Sequence, residues 1–363
     1  KNTKSYQYAT SYHQVDDVGD MQDYLARLKD IDRVFDQQLA RAQAAADKGI
    51  LQPRFGFDSA ISEIQRVTAG VPFNASDESP NSPIWVDIQT KLENLVQRQV
   101  IDSNTAQTYL AEARGILSGE VMASYQKVLN WLQQNRNYAS KESEGVWALP
   151  NGEDYYNHRL KRMTTVDLSA DEIHNIGLDE VSRLRSEMEV IKNQVGYKNS
   201  LEDFFVFMRE DSQFYYPNTD EGRQAYLDVN NEYLDLIRQK LPNYFGLLPK
   251  ADLVVKRVES FREQAGGAQH YRSGSPDGAR PGVFYSHMAD MATLAKFQIE
   301  DIAYHEGSPG HHMQISIQQE LTDVPRFRTQ YRTTAYTEGW GLYAEWLAKE
   351  MGGFDDPYSD FGR

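Results

Sequence analysis

Three of the eight histidines in this chain fall within eight residues, His305-Glu306-Gly307-Ser308-Pro309-Gly310-His311-His312. A solitary histidine is usually a core or surface residue, whereas three beside a glutamate suit a divalent metal and a proton acceptor. The familiar zinc-peptidase arrangement is His-Glu-x-x-His. Its i,i+4 spacing sets two imidazoles on one helical face and places the glutamate as general base. Here Pro309 occupies the fourth position after His305, so the strict spacing fails. Two repairs exist. If two residues of 307–310 bulge out, His311 falls where the second ligand belongs. In an unbroken helix His312 returns to nearly the same face, but a rise of ~1.5 Å per residue sets it about 10.5 Å along the axis. That is long for two Zn–N bonds of ~2.0–2.1 Å. Pro309 also disfavours helix at Ser308 and lacks a backbone donor, which favours the bulge and His311.

A third ligand must come from another segment. Cysteine is absent, so only His, Asp and Glu remain as donors. Glu338 is the first candidate, in Thr337-Glu338-Gly339-Trp340-Gly341-Leu342-Tyr343-Ala344-Glu345, which reads as another helix. Alone it is a charge that complements a helix dipole; together with the histidine cluster it reads as a ligand. Glu345, two turns later, is the rival ligand or a partner that orients an imidazole. Such donors favour zinc, with manganese and cobalt as alternatives.

Three protein ligands on zinc leave one position open, where water loses its proton near neutral pH. The expected reaction is hydrolysis of peptide bonds by metal-activated water, with Glu306 as general base. The oxyanion calls for a further donor. Tyr285, Tyr336, Tyr343 and His312 are candidates, and Tyr285 and His312 join Glu306 as the expected catalytic residues. The stretch 282–286 reads as a strand, either an open edge for an extended peptide or an internal support. Arg280 is a candidate for a substrate carboxylate or for a salt bridge with Asp277.

Other chemistries find less footing. The chain lacks a Gly-x-Ser-x-Gly elbow, a Walker motif, a Gly-x-Gly-x-x-Gly fingerprint and Glu-x-x-His pairs. A glycosidase carboxylate pair stays open, because 53 acidic residues offer many pairs. Against 38 Lys+Arg they give a net charge of −15, which disfavours nucleic acid or an anionic membrane as the main partner. No apolar run approaches the ~20 residues that cross a bilayer. The chain opens Lys1-Asn2-Thr3 without Met, and both ends read as cut.

The elements that must position these residues are mostly helical. At ~150 residues per domain, a length of 363 suggests about two domains or one large one. Over 17–48, Met21, Tyr24, Leu25, Leu28, Ile31, Val34, Phe35 and Leu39 form one stripe, stopped by Gly49 and Pro53. Further helices are expected over 58–69, 84–101, 103–136, 220–240 and 288–304, with 71–83 a proline-rich loop. Ser169 and Glu172 form a capping box at the start of another helix. Short β-branched runs at 253–258 and 282–286 suggest a small sheet. The expected organisation is a helical scaffold subdomain over 1–145 and a catalytic subdomain over 146–363.

The run His305-Glu306-Gly307-Ser308-Pro309-Gly310-His311-His312-Met313-Gln314, followed by Glu338-Gly339-Trp340-Gly341-Leu342-Tyr343-Ala344-Glu345, resembles the bacterial domain-of-unknown-function 885 family. Leu149-Pro150-Asn151-Gly152-Glu153-Asp154-Tyr155-Tyr156, Thr164-Thr165, Glu172-Ile173-His174 and Asp277-Gly278-Ala279-Arg280-Pro281-Gly282-Val283-Phe284-Tyr285 are similar to it as well. The family is grouped with gluzincin-type zinc metallopeptidases. The resemblance implies a mainly α, zincin-like fold with a small β-sheet beside the metal helix, ligands His305, His311 and Glu338, and Glu306 as base. It also implies export, frequently as a lipoprotein, and further helical segments at both ends of the family's usual chain. The competing expectation is a non-catalytic helical envelope or peptide-binding protein with a degenerate metal site.

Overall fold

The computed structural model describes residues 13–73, 80–142, 144–259, 263 and 266–363. The protein is mainly helical with one three-stranded sheet, and its chain divides into compact units at 1–155 and 156–363.

In the first unit the 17–48 stripe forms α1 (Val18–Lys29) and α2 (Ile31–Ala46), which meet at Asp30. Met21, Tyr24, Leu28 and Phe35 on that stripe are fully buried. Gly49, at φ 72°, takes the left-handed conformation that turns the chain away after α2. The unit continues with α3 (Arg54–Val67) and α4 (Pro83–Gln97). Next come α5 (Ser103–Ile116), a π-helical turn over Leu117–Val121, and α6 (Met122–Arg136), so the helix expected over 103–136 is continuous in path. The Tyr24 hydroxyl donates to Asp87 at 2.9 Å and ties α1 to α4. Residues 74–79 of the expected proline-rich loop lie outside the described residues.

Helix α7 (Gly152–Thr164) runs through the dividing point, and α8 (Ala170–Gln194) follows it. At the start of α8 the Ser169 hydroxyl accepts from the Glu172 amide at 3.2 Å. The Glu172 carboxylate accepts from the Ser169 amide at 2.8 Å, completing the capping box. Next come α9 (Leu201–Glu210) and α10 (Asp220–Tyr244). Helix α10 runs through Pro242, beyond the expected stop, because a proline in the last turn forfeits only one backbone bond.

The sheet contains β1 (Leu253–Arg257), β2 (His270–Arg272) and β3 (Gly282–Ser286) in the order β1-β3-β2. β3 is parallel to β1, with Val255 opposite Phe284, and antiparallel to β2, with His270 opposite Tyr285. The strand at 282–286 is therefore internal, buried along its whole length and paired on both edges. It cannot take up another strand, which corrects its reading as an open edge. Among the described residues the outer strand on that side is β2, whose three residues are too short for periodicity to reveal.

The helix expected over 288–304 is also shorter than its pattern. Two 3-10 turns, Met291–Thr293 and Lys296–Gln298, precede α11 (Ile299–Glu306). Asp290 stabilises the first by accepting from the Ala292 amide at 3.0 Å. The remaining helices are α12 (His311–Glu320), α13 (Arg326–Gln330), α14 (Thr334–Glu350) and α15 (Pro357–Gly362).

Helix α11 is gripped from two sides. Leu234 of α10, Phe284 of β3 and Ala303 of α11 form one buried cluster. Tyr304, Met313, Leu347, Ala348, Met351 and Phe354 form another that joins α11, α12 and α14. Phe284 is wholly buried at the middle of the sheet. Phe284→Ala is expected to cost about 3–5 kcal/mol. Urea unfolding would show it as a lower midpoint at unchanged slope, and an unchanged midpoint would remove Phe284 from the core that supports α11.

Candidate metal centre

Helix α11 ends at Glu306, and after four intervening residues α12 begins at His311. The chain breaks and restarts here, whereas the spacing suggested a bulge within one helix. Backbone hydrogen bonds close the turn: the Gly307 amide donates to Ala303 at 2.9 Å, Gly310 to Tyr304 at 3.0 Å and His312 to Gly307 at 3.0 Å. A side chain at Gly310 would place its Cβ 2.0 Å from the His305 carbonyl oxygen and 2.3 Å from that of Tyr304. Only glycine permits so close a return. It brings the His311 ring to 4.6 Å from the His305 ring, centroid to centroid, at 81°.

Glu338, in the first turns of α14, completes the group. One donor atom from each of His305, His311 and Glu338 lies within 4.8 Å of the others. Glu338 Oε2 is 3.6 Å from His305 Nε2 and 3.5 Å from His311 Nε2. Those separations exceed a good hydrogen bond. They approach the spacing of about 3.3 Å that tetrahedral angles and bonds of ~2.0–2.1 Å impose on neighbouring donors. The donor set therefore fits a divalent cation.

Glu345 meets the other nitrogen of the first ring. His305 Nδ1 lies 2.6 Å from Glu345 Oε1, which fixes Nδ1 as the donor and leaves the Nε2 lone pair facing His311 and Glu338. The ring itself lies close against α14, where a Cβ at Gly341 would come within 2.5 Å of His305 Cε1. This arrangement makes Glu345 a positioning partner of His305, one of the two roles its sequence position allows.

Electrostatics follow from burial and crowded charge. Burial opposes protonation of His305, but the carboxylates of Glu345, Glu306 and Glu338 outweigh it and raise its pKa. His311 moves the opposite way, lowered by burial and then by the charge of His305. Burial pushes Glu306 up to about 7, with His305 pulling it down and Glu338 raising it. Its Oε2 is buried and, among the described residues, has no hydrogen-bond partner. Asp301, one turn before His305, is raised by burial and then by the Glu345 carboxylate.

The other expected residues have partners of their own. His312 is next to a proposed ligand in sequence, but successive helical residues point ~100° apart. Its ring donates to the Ala251 carbonyl and meets the Tyr271 hydroxyl at 3.1 Å, and burial lowers its pKa to about 4. It is a neutral strap from α12 to the sheet. Tyr285 stacks on His270 at 5.3 Å, with the Arg272 guanidinium 5.4 Å from its ring. Neither joins the three donors. Tyr336 and Tyr343 are half exposed, and Tyr343 stacks on Trp346. Arg280 donates to the Ser273 carbonyl at 2.9 Å, while Asp277 accepts from Ser275 and from the Ala279 amide.

Several contributors escaped the sequence reading. A cavity of about 420 Å³ borders His305 and Glu306, and Tyr226, Gln269, Leu294 and Asp301 contribute to its walls. Asp301 carries a signal, since i,i+4 spacing sets it on the His305 face of α11. Tyr271 carries none, because its position depends on a three-residue strand.

Gly310→Ala should abolish zinc binding while the helical circular dichroism signal persists; tight zinc in that variant would refute the turn as the device that places His311. Glu345→Gln should weaken zinc about 10- to 100-fold in chelator competition. Zinc affinity should also rise from pH 6 to pH 8. Protons compete for the ligand nitrogens, and His305 holds its proton to higher pH than an ordinary imidazole. Calorimetric titration at the two pH values checks that sign.

Among curated proteins none matches the chain. The solved structures include a protein from Colwellia psychrerythraea, described as a "putative lipoprotein", that is similar at a TM-score of 0.90 and 28% identity. The similarity covers 99% of this chain and 60% of that one, so the chain spans about three fifths of its relative's length. The family model described as a bacterial protein of unknown function, DUF885, matches residues 1–363. From end to end, around the turn that joins the two histidines, the chain belongs to the DUF885 family.

Proposed function

We propose that this protein is a zinc-dependent hydrolase of peptide bonds, with His305, His311 and Glu338 as ligands and Glu306 as general base. The observation that carries this reading is the convergence of two imidazole Nε2 atoms and one carboxylate beside a buried, unpartnered oxygen of Glu306. A bound zinc ion supplies a Lewis acid that makes water acidic near neutral pH and polarises a carbonyl.

The chain's own groups do the rest. Burial raises the Glu306 carboxyl above the ordinary carboxylate range, which suits it to take a proton from water and return it to a leaving amine. Glu345 keeps His305 in one tautomer and orientation. The cavity beside His305 and Glu306 offers room for a substrate side chain. The Tyr271 backbone of β2 hydrogen-bonds Glu306 and favours its ionised form, and β2, the outer strand on that side among the described residues, offers an edge for an extended peptide. The described "putative lipoprotein" relative supports an exported protein at the cell envelope. Among the described residues no helix is long and apolar enough to cross a membrane.

With zinc supplied, peptide hydrolysis should be lost on chelation, return with zinc, and fall about 10²- to 10⁴-fold in Glu306→Gln at undiminished zinc content. Zinc held without turnover by wild-type protein would instead establish a metal-containing peptide-binding protein.

A further inference from the structure

The segment between the His311 helix and the Glu338 helix is rich in cations. Helix α13 and the three residues after it carry Arg326, Arg328 and Arg332, in a chain whose net charge is −15. Among the described residues no hydrogen bond or ion pair engages the Arg332 guanidinium, although Asp and Glu outnumber Lys and Arg across the chain. The Arg332 side chain is exposed, and His311 and Tyr271 both feel its positive charge.

The segment that carries Arg332 is anchored. Gln318, buried on α12, donates to the Arg328 carbonyl at 2.7 Å and to the Tyr331 carbonyl at 2.9 Å. Gln314, one turn closer to His311 and also buried, donates to the Tyr336 carbonyl at 2.9 Å. The Thr333 hydroxyl accepts from the Tyr336 amide at 3.3 Å and caps α14, the helix that brings Glu338. Arg332 therefore stands between a carbonyl fixed to the His311 helix and the cap of the Glu338 helix. The backbone on both sides of it is held, and among the described residues its side chain has no partner.

A guanidinium so placed is suited to a planar anion, which its fork grips through two parallel hydrogen bonds. The anion that every unblocked peptide carries is its terminal carboxylate. We propose that Arg332 receives the free α-carboxylate of the peptide substrate, which makes the enzyme a carboxypeptidase. This rests on the peptide-hydrolase reading. The bond cut is the last one: water adds across the C–N bond, the new carboxylate stays on the shortened peptide, and one amino acid leaves with its amine protonated.

The test compares an unblocked peptide with its C-terminally amidated counterpart, using zinc-loaded full chain. Wild type should favour the unblocked peptide at least tenfold in kcat/KM. Arg332→Gln should bring that ratio toward one through KM, and Arg332→Lys should restore part of it. Equal cleavage of both peptides by wild type, or a ratio unmoved by Arg332→Gln, overturns the proposal and leaves the hydrolase reading intact. Direct binding to zinc-loaded Glu306→Gln protein separates the two ideas. A preference for the free carboxylate that vanishes in the Arg332→Gln background supports the assignment of Arg332 even if no peptide is cut. Indifference to amidation in binding sinks it. A glutamate one residue before the amide should not rescue binding, and rescue would assign Arg332 to an acidic side chain instead.

Discussion

The contact between Glu345 and Nδ1 of His305 decides the character of the whole site. An imidazole in a pocket of carboxylates could turn either nitrogen toward a metal. A carboxylate at 2.6 Å on one nitrogen removes that freedom, so the opposite lone pair points to where His311 and Glu338 also aim. The contact spans α11 and α14, and the cluster of Tyr304, Leu347, Ala348 and Met351 holds those two helices in register. Hydrophobic packing thereby determines the tautomer of a candidate ligand.

A second constraint is the return of the chain at Gly310. The usual pairing of two histidines on one helix obtains its geometry from helical pitch alone. Here the second histidine opens a new helix, so its position depends on a turn whose carbonyls leave no space for a Cβ. The arrangement is more demanding in sequence and more particular in shape. Glycine at 310 serves the close approach of backbone to backbone; its φ of −77° is within reach of any residue.

Much of this is legible in the sequence. The histidine cluster, the remote glutamate and the absence of cysteine pointed to a cation, and the two β-branched runs emerged as β1 and β3. Residue types and spacing carry that information because metal donors and strand formers are chemically distinctive. The failures share one cause. Which face of a strand is free, and where a neighbouring residue on a helix points, are properties of tertiary neighbours. Whether β3 is an edge or an internal strand depends on β2, which is too short to read, and His312 turns to Ala251 and Tyr271 although it adjoins His311 in sequence. The helix expected over 288–304 failed for a local reason, since an aspartate cap and two tight turns interrupt an otherwise helical pattern.

Because the three donors come from α11, α12 and α14, one ion among them would work as a rivet through three separate rods. In a single-helix pair the two histidines move together and report little on the rest of the fold. Here a slide of any one rod against its neighbours shears the rivet. Occupancy is thus linked to rigidity, and thermal denaturation should climb with the logarithm of free zinc above its dissociation constant.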